Sequence, residues 1–141
     1  MNELIIDAAS EKIFLMIISN GSIYKITHEN TKINYEKLNT IINDFLKTKN
    51  LICYGGTAIN SILPESDQFY NKDIEIPDYD FFTPDQDSDI KLLVKNLRKA
   101  GFTEISAREG MHEGTVKIYV DFIPVADITT IDNKLYKILS Q

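Results

Sequence analysis

The chain has 141 residues, of which 43% are hydrophobic and 10% aromatic, enough to bury one core. Its 15 basic and 21 acidic residues give a net charge of −6, which argues against a basic face able to hold nucleic acid unaided. No apolar run could span a bilayer, and the acidic start "MNELIIDAASEK" is unlike a signal peptide, so we expect a single compact cytoplasmic domain without membrane association.

The first 50 residues are predicted to be mainly helical. The stretch from Glu3 to Ser19 is apolar enough for a helix or a buried strand, and we favour a helix. In "NYEKLNTIINDFLK" apolar residues recur at helical spacing, with Asn34 as an N-cap and Asn50 as a left-handed stop. We therefore expect residues 1–50 to form a helical segment that packs on a core of residues 51–141.

Two adjacent glycines interrupt "LICYGGTAIN" at residues 51–60. The pattern predicts a short buried strand, a turn at Gly55 and Gly56, and a helix that Pro64 ends. Free backbone N–H groups at such a helix start can hold phosphate oxygens, and Thr57 adds a hydroxyl donor. The glycine pair also suits a tight structural turn. These three residues are nonetheless candidates for nucleotide binding.

Two carboxylates share one face of the strand predicted for "IPDYDFF", which follows a polar loop over residues 65–75. Asp78 and Asp80 are two residues apart, about 7 Å at the backbone, so their side chains can converge. Two unpaired carboxylates repel each other, and a divalent cation such as Mg²⁺ would remove that conflict. The next segment, "SDIKLLVKNLRKAGF", predicts a helix capped by Asp87 or Ser88 and stopped by Gly101.

A third acid is expected on the last strand. "FTEISARE", the turn "GMHEG" and "TVKIYVDFIP" predict a hairpin whose second strand carries Asp121 opposite an apolar face. Asp127 is the rival, but it lies roughly 20 Å further along an extended strand, and Pro124 would interrupt the ladder before it. We therefore expect Asp121 to join Asp78 and Asp80 in a site for two metal ions, while a solvated outer face remains the simpler alternative.

These segments together resemble a known family. A glycine turn, a D-x-D strand and a later acid are typical of nucleotidyltransferases of the DNA polymerase β type. More closely, "YGGTAINSIL", "IPDYDFFTP" and "HEGTVKIYVDFIPVADIT" are similar to the catalytic subunit of poly(A) polymerases of large cytoplasmic DNA viruses. "VDFIPVAD" also resembles the third-acid strand of oligoadenylate synthases, which favours Asp121 over Asp127. The resemblance implies an α/β (α+β) fold, a mixed sheet with helices packed on one face.

The resemblance also implies an activity. ATP would be the AMP donor, an RNA 3′-hydroxyl the acceptor, and Mg²⁺ or Mn²⁺ the metal, with further domains or a partner subunit holding the RNA. Gly55, Gly56 and Thr57 would hold the triphosphate, and the catalytic and metal-binding residues would be Asp78, Asp80 and Asp121. A host-cytoplasm or virion location would follow. Two alternatives remain open: a minimal nucleotidyltransferase that modifies a protein or tRNA, and a non-catalytic module that kept the fold.

Three other residues have simpler interpretations. His112 in the "GMHEG" turn could reach the cleft, but turn histidines are usually plain surface residues. Lys117 could meet phosphates but is more simply a solvated charge. The single cysteine, Cys53, is most simply a small buried apolar residue.

Overall fold

In the computed structural model of the chain, residues 14–19, 22–27, 34–71 and 75–141 are described. They fall into two compact units, divided between Ile33 and Asn34. The sequence-based prediction places a division after residue 50 instead. The described part of the first unit is an antiparallel pair, β1 (Phe14–Ser19) and β2 (Ser22–Thr27), with Phe14 opposite Thr27.

The helix predicted from Glu3 to Ser19 is wrong over Phe14–Ser19, which is strand β1. The segment "FLMIIS" pairs residue for residue with "SIYKIT", and both runs contain the β-branched isoleucines that favour strands. Residues 3–13 of that predicted helix lie outside the described residues.

The second unit contains the helices and strands that the sequence predicts, together with a 3₁₀ turn, a strand and a helix that it does not predict. Helix α1 begins after Asn34, whose side chain accepts a hydrogen bond from the Lys37 N–H, and ends at Asn50 in the left-handed conformation (φ 51°). Both predicted caps are thus confirmed. The elements are α1 (Tyr35–Lys49), β3 (Ile52–Tyr54), α2 (Gly55–Ile62), a 3₁₀ turn (Glu65–Asp67), β4 (Tyr79–Thr83), α3 (Gln86–Lys99), β5 (Ile105–Glu109), β6 (Thr115–Val120), β7 (Ile123–Thr130) and α4 (Asn133–Leu139).

Five strands form one mixed sheet in the order β3-β4-β7-β6-β5. Strand β4 runs antiparallel to β3 but parallel to β7, and β7 is antiparallel to β6. The strand β7 was not predicted. It occupies the centre of the sheet, and its register with β4 sets Asp80 beside Asp127.

One face of the sheet is buried beneath helices α1 and α3. Phe81 of β4 is fully buried, and its ring lies 6.0 Å from that of Phe45 in α1. Leu93 and Leu97 of α3 are also fully buried. Burying such a side chain contributes about 1.5–3 kcal/mol, so this layer fixes the sheet to its helices. Side chains alternate along a strand, and Asp80 therefore points to the opposite face from Phe81. The predicted mixed sheet with helices on one face is confirmed.

The start of one predicted helix differs from the structure, and one further helix is present. The N-cap of α3 is Asp85, so Asp87 and Ser88 lie inside the first turn rather than at the cap. Pro84 precedes that cap, and the carboxylate of Asp87 suits the positive end of a helix. Helix α4, capped by Asp132, was not predicted. Among the described helices, none is long and apolar enough to cross a membrane.

Candidate active site

Three carboxylates converge on the open face of the sheet. Asp80 lies in β4 and is paired in register with Asp127 of β7, while Asp78 immediately precedes β4. Each of the three offers a carboxylate oxygen, and these oxygens all lie within 4.8 Å of one another. Parallel pairing of β4 and β7 produces this arrangement, because residues in register on neighbouring strands project from the same face.

The prediction that Asp121 neighbours Asp78 and Asp80 is wrong. The expected single strand "TVKIYVDFIP" ends at Val120, and Asp121 and Phe122 form a two-residue turn in which both have positive φ, 49° and 67°. The chain then returns as β7, whose fifth residue is Asp127. Asp121 therefore lies in the hairpin turn, with its N–H donating to the Glu104 carbonyl at 2.8 Å. It is not part of the acidic group.

Pro124 does not prevent Asp127 from joining the sheet, contrary to the expectation. The pairing of β7 with β4 begins at Ala126, beyond Pro124, so the missing N–H falls outside that ladder. On the other side, the pairing with β6 shifts register between Ile118 and Tyr119, next to the Tyr119–Pro124 pair. This irregularity accommodates the proline while Asp127 remains regularly paired.

A lysine lies among the three acids. Nζ of Lys117 is 2.9 Å from Oδ1 of Asp127 and 3.8 Å from Oδ2 of Asp78. Burial acts to lower the pKa of Lys117, but the hydrogen bond to Asp127 and the charges of Asp78 and Asp127 outweigh it and raise that pKa. Lys117 is therefore a charged member of the site, whereas the sequence favoured a solvated surface charge.

The electrostatic environment of Asp80 shows that the acids are crowded. Burial raises the pKa of the Asp80 carboxyl, and the nearby charges of Asp78 and Asp127 raise it further, with Lys117 opposing them. With one ammonium among three carboxylates, negative charge is in excess at the site. Oxygen donors, close spacing and this excess charge suit a divalent cation such as Mg²⁺ or Mn²⁺. The residues present thus fit a metal ion.

The glycine turn lies against the acids. Gly55 has φ 69°, a left-handed conformation, and a Cβ there would overlap Oδ2 of Asp80 and lie 3.1 Å from its Cγ. The carboxylate of Asp80 therefore lies against the backbone of Gly55 and leaves no room for a side chain there. Thr57 donates its hydroxyl to the Asp78 carbonyl at 2.7 Å, which ties the start of α2 to the start of β4. All three sequence-predicted binding residues hence lie beside the acidic group.

Tyr70 is a neighbour of this turn that the sequence did not indicate. A Cβ at Gly56 would lie 2.7 Å from the Tyr70 hydroxyl. The buried Asn60 of α2 holds the loop in place, because its Oδ1 accepts from the backbone N–H groups of Phe69 and Tyr70 at 2.7 and 3.2 Å. Loop residues brought to a site by such contacts leave no periodic signal in the sequence.

His112 and Cys53, the two remaining candidates from the sequence, are not members of the acidic group. His112 is exposed in the β5–β6 turn. Cys53 is half-buried, and burial raises the pKa of its thiol. Tyr54 stacks on Phe82, with ring centroids 4.1 Å apart, and its hydroxyl lies 3.0 Å from that of Thr129. These aromatic and hydroxyl contacts extend along the same open face as the acids.

Known proteins resemble this chain in sequence and structure. A poly(A) polymerase catalytic subunit of African swine fever virus is 29% identical over 96 residues, which are 68% of this chain and 20% of that protein. One of Acanthamoeba polyphaga mimivirus is 31% identical over 100 residues, 67% of this chain and 17% of that protein. The Megavirus polyadenylate synthase structure matches with a TM-score of 0.67 and 31% identity, over 77% of this chain and 23% of that one.

These matches confirm the nucleotidyltransferase-type fold and the family resemblance seen in the sequence. The chain spans about a fifth of the length of the relatives it matches. The family model for the poly(A) polymerase catalytic subunit matches residues 40–141, which include the acids and the glycine turn. The chain therefore belongs to the family of poly(A) polymerase catalytic subunits.

Proposed function

We propose that the chain is the metal- and nucleotide-binding core of a viral poly(A) polymerase, which transfers AMP from ATP to the 3′-hydroxyl of RNA. The observation that carries the proposal is the convergence of Asp78, Asp80 and Asp127 beside the glycine turn at the start of α2. Either feature alone is common in proteins. Their contact through Gly55 and Asp80, in a chain of this family, supports one shared site.

The three carboxylates would hold the Mg²⁺ or Mn²⁺ ions. Asp78 and Asp80 would be the ligands on the nucleotide side, as the sequence resemblance implies, and Asp127 takes the place that the sequence assigned to Asp121. Bound divalent ions in such a site lower the pKa of an attacking hydroxyl and stabilise the charge on phosphate oxygens. The strands contribute the alignment, because parallel pairing of β4 with β7 fixes Asp80 and Asp127 side by side.

The start of α2 would hold the triphosphate. Its N-cap, Tyr54, makes no side-chain hydrogen bond to the first turn, so the N–H groups of that turn remain available to an anion. Gly55 and Gly56 keep the backbone free of side chains, and Thr57 holds the turn to Asp78. The phosphates of ATP would thus lie between N–H donors and the metal-binding carboxylates.

RNA would be held with the help of other parts of the enzyme. The net charge of −6 does not suit an RNA-binding surface, and the relatives extend well beyond the matched region. Further domains or a partner subunit would provide the basic surface, and the host cytoplasm or the virion would be the place of action. The chain would then carry out the transfer reaction, and the other domains or the partner subunit would bind the RNA acceptor.

Calorimetric titration with ATP tests the site. The wild-type chain is titrated with ATP in the presence of Mn²⁺ and in the presence of a chelator, alongside Asp78→Asn with Asp80→Asn. We expect binding that requires Mn²⁺ and is lost in the double variant. Asp121→Asn is the control. It removes a carboxylate from the turn between β6 and β7, outside the acidic group, and it should bind like the wild type. Binding that persists in the double variant would contradict the proposal.

The acceptor is tested separately. Labelled ATP and Mn²⁺ are supplied with an RNA oligonucleotide that has either a free or a phosphorylated 3′ end. When the RNA-binding parts of the enzyme are present, the proposal expects elongation of the free end only. Label appearing on protein or on tRNA instead would assign the same site to a minimal nucleotidyltransferase with another acceptor.

A further inference from the structure

Lys117 already acts as the cation of the acidic group in this structure. It lies in β6 directly opposite Asp127 in β7, so the pairing of the strands brings its side chain to the group. Its Nζ contacts Asp127 at 2.9 Å and lies 3.8 Å from Asp78. The side chain of Lys117 is only 23% exposed, and Oδ1 of Asp127 is buried, so the ammonium is what compensates that oxygen.

A divalent cation would meet this ammonium at the same carboxylates. Asp78 and Asp127 each contribute an oxygen to the group of three, and each is near Lys117. Two cations a few ångströms apart repel strongly at a partly buried site. A lysine side chain has a flexible four-carbon stem and can withdraw its ammonium to other partners without moving the strand.

We propose that Lys117 is a built-in counter-ion that holds Asp78 and Asp127 together in the metal-free chain and leaves them when a divalent cation binds. This inference rests on the proposed function, because it needs the acids to bind metal. Lys117 is thereby a positioning residue. It keeps the carboxylates close enough to receive a metal ion, and it weakens the binding of that ion because the ion must displace it.

Removing the charge should therefore tighten metal binding and lower metal-free stability. In Lys117→Met the ion no longer has to displace an ammonium, and Mn²⁺ affinity should rise about three- to tenfold, the range of a half-buried ion pair. Without metal, the repulsion among Asp78, Asp80 and Asp127 is unrelieved, so the melting temperature should fall. Added Mn²⁺ should then raise that temperature more in the variant than in the wild type, because it replaces the missing charge.

Electron paramagnetic resonance of free Mn²⁺ measures the affinity, and circular dichroism measures the melting temperature. Lys95→Met is the matched control, because it removes an equal charge from an exposed position of α3, on the helix-covered side of the sheet. It should bind Mn²⁺ like the wild type. Lys117→Arg keeps the charge and should not gain affinity. Lys117→Gln, a second uncharged variant, should show the same gain as Lys117→Met, which separates the loss of charge from any packing effect of the methionine.

The outcomes separate this inference from the proposed function. Equal Mn²⁺ affinity in the wild type, Lys117→Met and Lys117→Gln would overturn the counter-ion role but leave the metal site intact. A gain in Lys95→Met as large as in Lys117→Met would overturn it too, since net charge alone would then explain the effect. Failure of both the wild type and Lys117→Met to bind Mn²⁺ would overturn the counter-ion role and the proposed metal site together.

Discussion

Gly55→Ala is expected to disable the site while leaving the fold in place. Gly55 has φ 69°, and the added Cβ would overlap the carboxylate of Asp80, lying 3.1 Å from its Cγ. The substitution therefore acts in two ways. It strains the backbone at residue 55, and it pushes Asp80 away from Asp78 and Asp127.

The magnitude follows from these two effects. A residue with a Cβ costs about 1–2 kcal/mol in the left-handed region. Displacing Asp80 from its rotamer adds about 0.5–1.5 kcal/mol. The free energy of unfolding should therefore fall by about 1.5–3.5 kcal/mol. Gly101→Ala is the matched control, because Gly101 also has positive φ (101°), but no atom of the described residues lies within 4 Å of an added Cβ. It should show the strain alone.

Denaturant unfolding and Mn²⁺ binding distinguish the two effects. Both variants should lose stability, but only Gly55→Ala should lose metal affinity, because only its Cβ meets a proposed ligand. If Gly55→Ala binds Mn²⁺ as tightly as Gly101→Ala, the close approach of Asp80 to the turn does not matter for the site. The reasoning from the contact would then be refuted.

Two further predictions concern buried polar groups. Tyr79 accepts a hydrogen bond from Asn43, and burial raises its pKa to about 12. In the unfolded chain Tyr79 should have the ordinary tyrosine pKa of about 10.0. The wild type should therefore lose up to about 3 kcal/mol of stability between pH 10 and 12 that Tyr79→Phe does not lose, as measured by denaturant unfolding at each pH. Asp89 is 1% exposed, accepts from the Thr83 hydroxyl and pairs with Lys49 at 2.8 Å. Asp89→Asn should therefore lower the free energy of unfolding at pH 7 by about 1–3 kcal/mol, and an unchanged unfolding midpoint would contradict that account.

The sequence predicted the elements whose signals are local. Helix α1 follows from apolar spacing and from two asparagines that suit its ends, and the structure confirms both caps. The glycine pair and the D-x-D strand likewise carry their chemistry within a few residues, so the sequence predicted Asp78, Asp80 and the turn. The parallel contact between β4 and β7 is a property of the whole fold, and local patterns do not report it.

The third acid was misassigned because a turn lacked its usual residues. Two-residue hairpin turns with positive φ at both positions normally contain asparagine or glycine. Here Asp121 and Phe122 take those conformations, so "VDFIP" gave no sign that the strand reverses. The pattern therefore predicts one continuous strand through residue 127, which would place Asp127 far along that strand rather than on a neighbouring strand.

The incorrect helix over Phe14–Ser19 has a different cause, because here the sequence does contain an indication of a hairpin. Asn20-Gly21 stands between the runs "FLMIIS" and "SIYKIT", and Asn-Gly between two such runs is the strongest short-range indication of a hairpin. Taken without that dipeptide, the apolar content of Phe14–Ser19 suits a helix equally well. Periodicity alone cannot separate the two in so short a run.

The most direct test of the account compares Asp127→Asn with Asp121→Asn in Mn²⁺ binding by electron paramagnetic resonance. The two variants remove the same charge from residues six positions apart, one beside Asp80 and one in the hairpin turn. We expect Asp127→Asn to weaken Mn²⁺ binding about tenfold or more, because it removes a charged oxygen ligand, and Asp121→Asn to match the wild type. Loss of binding in Asp121→Asn, with Asp127→Asn unchanged, would contradict the site described here.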